Sequence, residues 1–306
     1  MNGKSPQRRP RAGDLNIAQL ETFRLVMRHG GYHAAAKESH LSPPAVWQHI
    51  QALEKAYRTE LFVRVGRQIK PTDAAIKLHE QLDDILVRLE STFDSMRSPS
   101  ADQSIRLVTG VRMMLEDLSQ PLAGFRKRHA NPLVVCQGNE RRAEEMLLAD
   151  EADLALALQP GLKQGTPQIH YEPAYAVDFL AVSTRNHDYA RCRSASLHEL
   201  AKHPLVVTIT GTHARDALDQ AFHREGLTPN IAIETDNGAF TVACVMAGMG
   251  VGVLAGREQG TLSRKLHRRS LRKPLGRRRI DLMWRRGRLL SEPVLDLIEE
   301  IKRIGD

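Results

Sequence analysis

Apolar positions divide this chain into three stretches with different periods. In the first, Leu20, Phe23 and Val26 recur at helical intervals, and Gly30 and Gly31 end that helix because glycine takes the backbone angles of a cap. A short second helix carries Ala34, Ala35 and Ala36, three small side chains that let two helices cross closely. Leu41 plugs the turn that follows. Ser42 is placed to cap a third helix, and Pro43 stands at or next to its first position, where the missing amide hydrogen costs nothing. In that helix Val46, Ile50 and Leu53 share one face, which leaves Pro44, Trp47, Gln48 and Gln51 pointing outward. A hairpin bearing Arg64, Arg67 and Lys70 comes next.

The second stretch is one long helix. Leu78, Leu82, Ile85, Leu89, Phe93 and Met96 repeat at alternating fours and threes, with Glu80, Asp83, Asp84, Arg88 and Glu90 between them. This seam predicts a dimerisation helix over 73–98. Ser98, Pro99, Ser100, Ala101 and Asp102 then predict a domain break.

In the third stretch short apolar runs alternate with amphipathic segments: IRLVTG, a helix to His129, LVVCQG, a helix near Ala143 to Leu148, then ADLALAL. The rhythm recurs through DFLAVS, PLVVTIT, a helix from about His213 to Glu225, IAIET, a helix from about Phe240 to Ala247, and GVGVL. Such alternation predicts parallel sheets with covering helices, arranged as two α/β lobes with a cleft between them. The first lobe takes about 103–173 and 285–306, the second about 174–284, within one region of 103–306. The strand near Asp281 to Trp284 and the helix from Pro293 to Ile304 are expected to return to the first lobe.

Chemistry enters at two places. A helix, a tight turn, a second helix and a basic hairpin, in that order over 15–72, make a winged helix-turn-helix. Its outward helix face suits the major groove: Gln48 and Gln51 can pair with adenine edges, Trp47 offers apolar area to thymine methyls or sugars, and Arg64, Arg67 and Lys70 are placed to meet phosphates. The second place is a set of three strand-to-helix turns, containing Thr109, Gly110 and Arg112, then Thr210 and Thr212, then Asn237. Each aims amide hydrogens at a helix N-terminus, where an anion, a carboxylate above all, is favoured. GMGVGV, from Gly248 to Val253, follows a helix and enters a strand, the reverse of a nucleotide-binding loop, and reads as a helix stop and a close-packed strand.

Charge sharpens this division. The 306 residues carry a formal net charge of +8. Basic residues outnumber acidic ones in 1–72 and again in 264–288, where Asp281 is the lone acid, while the middle is mildly acidic and ill suited to DNA. The run 264–288 reads by default as an exposed charged surface. Residues 1–14, basic and proline-containing, read as a disordered arm. No apolar run is long enough to span a bilayer, no secretion signal is visible, and three scattered cysteines suit a reducing compartment, so a cytoplasmic protein is expected. Neither Cys136, Cys192 and Cys244 nor the histidines show metal spacing, and no residue set argues for catalysis or a cofactor. Arg191 and Arg193 flank Cys192 and could lower its pKa toward a reactive thiolate, although no resolving partner is evident from spacing.

With Arg67, the segment AAAKESHLSPPAVWQHIQALEKAYRTELFVR resembles the DNA-binding signature of the LysR-type transcriptional regulators, and ADLALAL and AGMGVGVL add looser matches. The likeness runs from about Leu15 to Arg303. It implies an α/β protein with an N-terminal winged helix-turn-helix, a dimerising linker helix and a two-lobed effector domain like a periplasmic binding protein. It also implies double-stranded promoter DNA and a small-molecule effector as partners, the effector anionic by the helix-end argument, and homodimers that assemble into homotetramers. Ser42, Pro44 and Gln48 match positions that touch DNA, Arg64 and Arg67 match wing positions, and Thr109, Thr210 and Asn237 fall in loops that line the effector cleft. Two residues depart from the family: Pro43 replaces the usual glutamine and Trp47 a small serine. Two other classes fit the composition: a solute-binding or enzymatic two-lobed domain with an N-terminal assembly module, and an effector-independent architectural DNA-binding protein.

Overall fold

The computed structural model describes residues 13, 15–66, 68–96, 103–160, 165–257 and 265–305. The basic arm (Gly13 aside), Arg67 and the break at 98–102 therefore lie outside the described residues. The chain forms two compact units, Met1–Asp94 with Gly287–Leu289, and Ser95–Arg286 with Leu290–Asp306.

The first unit holds α1 (Ile17–His29), α2 (Tyr32–Ser39), α3 (Pro43–Tyr57), β1 (Phe62–Val65), β2 (Gln68–Pro71) and α4 (Asp73–Met96). Gly30, at φ 68°, ends α1 with its N–H on the Val26 carbonyl, the left-handed cap that glycine takes without strain. The three short helices close on Phe23, Val26, Ala35, Val46, Ile50 and Leu53, all buried. Leu41 does not plug the turn, since it remains 36% exposed. Backbone and cap bonds hold the turn instead: the Leu41 N–H reaches the Ala36 carbonyl at 3.1 Å, and Ser42 Oγ accepts the Ala45 N–H at 3.4 Å. Glu54 then fixes the start of the wing, its Oε1 accepting the N–H groups of Leu61 at 2.7 Å and Phe62 at 3.2 Å.

Helix α4 divides the seam that the sequence suggests. Leu78 and Leu82 are buried together with Leu86 in the core of this unit. Ile85, Leu89, Phe93 and Met96 are exposed, Phe93 at 70% and Met96 at 83%. The seam therefore serves two purposes: its first two positions complete the small unit's own core, and the other four are apolar groups left in water.

The second unit is built on a nine-stranded sheet in the order β4-β3-β5-β11-β6-β9-β7-β8, with β10 on β6. Its first part runs β3 (Ile105–Thr109), α5 (Val111–Met113), a wider turn over Met114–Leu118, α6 (Ser119–Arg128), β4 (Leu133–Gln137), α7 (Glu140–Leu148) and β5 (Leu154–Leu158). A long strand, β6 (Ile169–Ser183), leads through α8 (Asp188–Arg191) and α9 (Leu197–Leu200) to β7 (Leu205–Thr208), α10 (His213–Arg224), β8 (Ile231–Thr235), α11 (Gly238–Met246) and β9 (Val251–Gly256). The chain closes with β10 (His267–Ser270), α12 (Arg272–Leu275), β11 (Arg277–Arg285) and α13 (Glu292–Lys302), which packs on α6.

Strands β3, β4 and β5 are mutually parallel, as are β7, β8 and β9, so the two parallel α/β groups that the apolar rhythm suggests lie within one sheet. The antiparallel pair β6 and β11 joins them. Ile169 to Asp178 pair with β11, and Asp178 to Val182 pair with β9. Ile280 to Met283 pair with β5, so the strand near Asp281 to Trp284 does return to the first parallel group, and its pairing with β6 shifts register between Ile280 and Asp281.

That return strand also corrects the reading of 264–288 as an exposed surface. The run supplies β10 and β11, and Arg285 is buried with its Nη1 2.8 Å from Asp150 Oδ2. Asp281, 1% exposed, accepts from Arg279 Nε at 2.6 Å and Nη2 at 3.0 Å. Arg269, Arg279 and Arg285 enter the sheet with a guanidinium nitrogen on a carbonyl or carboxylate, whereas Arg272, Lys273 and Arg277 do face solvent. In GMGVGV, Gly252 has a packing reason: a Cβ there would lie 2.7 Å from Val245 Cγ2 and 2.9 Å from Val182 Cγ2. Among the described residues no helix is long and apolar enough to cross a membrane.

Candidate functional site

On α3, Ser42, Pro44, Trp47, Gln48 and Gln51 are exposed, and Pro43 is half-buried. Trp47 leaves 50% of its surface in water, a large apolar ring on the outward face of the helix. The two glutamines differ in a way spacing does not reveal. Gln51 donates its side-chain amide to Glu54, the residue that anchors the wing, whereas Gln48 is simply exposed. On the wing, Arg64 is exposed with its Nε on the Gly66 carbonyl at 3.1 Å, and Lys70 is exposed across from Val63. On the inner side, His49 Nδ1 meets Thr22 Oγ1 at 2.8 Å and fixes how α3 lies on α1. An exposed amide and indole beside cationic wing residues are the groups that read base edges and hold phosphates.

In the second unit a cavity of about 100 Å³ opens where four helices begin, at Val111, Glu140, His213 and Gly238. Three of these ends carry a side-chain cap. Asn139 Oδ1 accepts the Arg142 N–H at 2.9 Å, Thr212 Oγ1 the Arg215 N–H at 3.3 Å, and Asn237 Oδ1 the N–H groups of Ala239 and Phe240, both at 3.0 Å. Gly110, the fourth, makes no side-chain cap.

Gly110, Arg112, Thr212 and Asn237 line this cavity; Thr109 and Thr210 do not. Thr210 is exposed, and Thr208 takes the lining position with its hydroxyl 2.9 Å from that of Thr212. The difference is where the strand ends: Thr208 is the last residue of β7, whereas Thr210 lies in the turn beyond it, where the strand no longer sets the direction of the side chain. Thr109 is 2% exposed, and its hydroxyl is buried with no hydrogen-bond partner. Arg112 reaches the cavity but is committed: Nη1 lies 3.0 Å from Glu116 Oε2 and 3.9 Å from Asp117 Oδ2. Burial pushes the Glu116 carboxyl up, against the pull of Arg112.

Sequence reasoning missed Gln137, Asn139 and Glu140, which line the cavity from the turn between β4 and α7. Their signal was available. QGNE after LVVC has the same strand-to-cap composition as the other three turns. Burial raises the Glu140 carboxyl above its ordinary range, and His213 opposes the rise. The reactive-thiolate expectation for Cys192 is overturned: Arg191 stands beside Asp188 at 4.0 Å, the thiol donates to Glu199 Oε1 at 3.2 Å, and partial burial with the Glu199 charge pushes its pKa up.

The LysR substrate binding domain matches residues 100–305, and the bacterial regulatory helix-turn-helix protein of the lysR family matches residues 17–76. The chain belongs to the LysR family. It is a DNA-binding transcriptional regulator with an effector-binding domain, and that family consists of regulators rather than enzymes. A RuBisCO operon transcriptional regulator of Allochromatium vinosum is 26% identical over 284 residues, covering 90% of this chain and 92% of the relative. Among solved structures, HinK, a LysR family transcriptional regulator from Pseudomonas aeruginosa, superposes with a TM-score of 0.54 at 19% identity, over 94% of this chain and 98% of that one. The effector-binding domain of QuiR in complex with shikimate gives 0.57 at 18% identity, over 67% of this chain and 97% of that domain. Both likenesses are of fold. The LysR assignment rests on the two domain matches.

Proposed function

We propose that this LysR-type regulator binds a two-fold symmetric promoter site as a homodimer and that a small anionic effector in the cavity of the second unit tunes those contacts. The observation that carries the reading is the convergence of four helix N-termini on one cavity. Amide hydrogens and helix dipoles at such ends favour negative charge, and Thr208, Thr212 and Asn237 add short polar groups to orient it. The nearby guanidinium is already paired within the fold, so affinity for the anion comes from helix ends and hydroxyls rather than from an arginine clamp. Burial raises the Glu140 carboxyl, which lines the same cavity, so its charge opposes an anion there less than that of an exposed carboxylate.

On the DNA side, Trp47 and Gln48 read the groove, with Ser42, Pro43 and Pro44 at the helix entry, and Arg64, Arg67 and Lys70 meet phosphates. Gln51 contributes less, because its amide already serves Glu54. In this reading 15–72 is the DNA-reading module, 73–98 the dimerisation helix and 103–306 the effector module. Ile85, Leu89, Phe93 and Met96 are the apolar groups that a second α4 covers, and dimers then pair into homotetramers.

The decisive experiment retains fragmented genomic DNA of the host on the purified protein at moderate salt, with and without a panel of small carboxylates that includes shikimate, the ligand of the similar QuiR domain. Enrichment of a few promoters sharing a symmetric motif, altered by one carboxylate that also raises the melting temperature, is the expected result. Uniform, salt-sensitive retention unaffected by any carboxylate would overturn both halves of the reading.

A further inference from the structure

Apart from the cavity and the α3 face, one cluster of reactive side chains has no role in the regulator described above. Among the described residues, Cys192, Glu199 and His203 bring together three metal-ligating groups whose donor atoms all lie within 4.8 Å of one another. No sequence motif announces them. The fold makes the set, by turning α8 back onto α9.

The local architecture holds the three donors firmly. His187 caps α8, its Nδ1 accepting the Tyr189 N–H at 3.1 Å, and Cys192 sits at the far end with its N–H on the Tyr189 carbonyl at 3.2 Å. Ser196 caps α9, its Oγ accepting the Glu199 N–H at 3.2 Å, and the turn continues until the His203 N–H reaches the Leu200 carbonyl at 3.0 Å. Glu199 and His203 are thus one helical turn apart and face the same way. Tyr189, Leu197 and Leu200 are buried beneath them and anchor both segments, and the Tyr189 ring meets the His203 ring edge-on at 5.5 Å.

The distances match a coordination shell. Cys192 Sγ lies 3.2 Å from Glu199 Oε1 and 4.0 Å from His203 Nε2, and Nε2 lies 3.6 Å from that same Oε1. Bonds of about 2.3 Å to sulfur and about 2.0–2.2 Å to nitrogen and oxygen at tetrahedral angles put the donor atoms about 3.4–3.6 Å apart. Each observed edge is within about 0.5 Å of that range, which small side-chain rotations supply. Thiolate, imidazole and carboxylate together suit a borderline-soft divalent ion, and exclude magnesium and calcium, which take oxygen.

We propose that Cys192, Glu199 and His203 form a binding site for a divalent ion of the zinc class, with a fourth position open to water or an outside ligand. The ion ties α8 to α9. Coordination replaces the present contact, in which the Cys192 thiol donates to Glu199, so the sulfur proton leaves to solvent as the metal–sulfur bond forms. Lys202 holds the other carboxylate oxygen, Oε2, at 2.9 Å; it is 67% exposed and its long chain can swing clear or remain on that oxygen.

The test uses the full-length, reduced, chelator-stripped protein. Cobalt(II) is titrated first, with zinc added afterwards to displace it. The expected result is a saturable near-ultraviolet thiolate-to-cobalt band that zinc abolishes. Cys192→Ser removes the band, while Cys136→Ser, changing a thiol outside the cluster, keeps it. Glu199→Gln and His203→Ala each weaken zinc binding by at least about tenfold, since losing a direct ligand exceeds the loss of an outer partner. Absence of a thiolate band in the unmutated protein overturns the proposal whatever the variants do, and so does a band that survives Cys192→Ser.

Discussion

Arg257 Nε stands 3.0 Å from Asp117 Oδ1, and the two residues are 140 positions apart in the chain. Arg257 follows β9, whereas Asp117 lies in the helical segment after β3. The Asp117 side chain is 2% exposed and also accepts the Tyr175 hydroxyl at 2.9 Å, while the Arg257 guanidinium sits 5.8 Å from the Tyr175 ring centre. Burial and the Asp117 charge hold the Tyr175 phenol well above its ordinary range, so it remains a donor throughout the neutral region. The cluster joins the segment after β9 to the segment after β3 through Tyr175 of the crossing strand β6.

Arg257→Met keeps the aliphatic stem and leaves the buried Asp117 carboxylate short of one donor. We expect a loss of about 2 kcal/mol in unfolding free energy, within the range for stranding a buried acceptor, read by urea denaturation at neutral pH. A loss below about 0.5 kcal/mol, the size of an exposed pair, would mean that Asp117 is fully served by Tyr175 and Arg112.

Glu140 gives a pH dependence of definite sign. Its folded-state pKa lies above the unfolded value of about 4.3, so the native state holds the proton more tightly than the unfolded chain does. That contribution favours folding at acid pH and is lost as pH rises through the folded value. Glu140→Gln should therefore stabilise the protein relative to the parent at pH 7 and lose that advantage by pH 4.5, as measured by urea unfolding at both. An equal difference at the two pH values would show a carboxyl that titrates as if in water.

Residues on α3 separate reading from holding. Gln48→Ala should cut preference for the operator over random DNA by about tenfold, at the lower end of the 1–3 kcal/mol that one good base contact supplies, with little change on random DNA. Gln51→Ala should do much less to that preference, because its amide bonds Glu54. Competition binding at fixed salt reads both. An equal loss on both DNAs for Gln48→Ala removes it from the base readers.

What was legible in the chain followed from periodicity. Val46, Ile50 and Leu53 announce their buried face, and runs such as ADLALAL announce strands covered on both sides. Illegible features depended on where a strand ends or on long-range partners. Thr208 and Thr210 are chemically identical, and only the end of β7 decides which one lines the cavity. Arg112 looks like an anion clamp until Glu116 and Asp117 are seen to occupy it, and Arg285 looks solvated until Asp150 is found beside it. Cys192 is a similar case: its flanking arginines are adjacent in sequence, but the group that controls its thiol is Glu199, on the next helix.

The split character of α4 makes a test of assembly that periodicity alone would misdirect. Leu82 belongs to the heptad pattern, yet it is 7% exposed and packed with Leu78 and Leu86 in the core of its own unit. Leu82→Lys buries an unpaired ammonium there and should unfold the first unit, so a monomer obtained that way would say nothing about pairing. Ile85 and Phe93, at 59% and 70% exposed, can carry the charge without disturbing the core. Ile85→Glu with Phe93→Glu should leave the far-ultraviolet dichroism and the melting of the monomer unit intact. If α4 pairs with a second copy, the same variant should halve the mass seen by light scattering and weaken operator binding by more than about tenfold, because one recognition helix then acts without its twin. An unchanged mass would assign those four apolar side chains to some other partner and leave the two-fold operator without its structural basis.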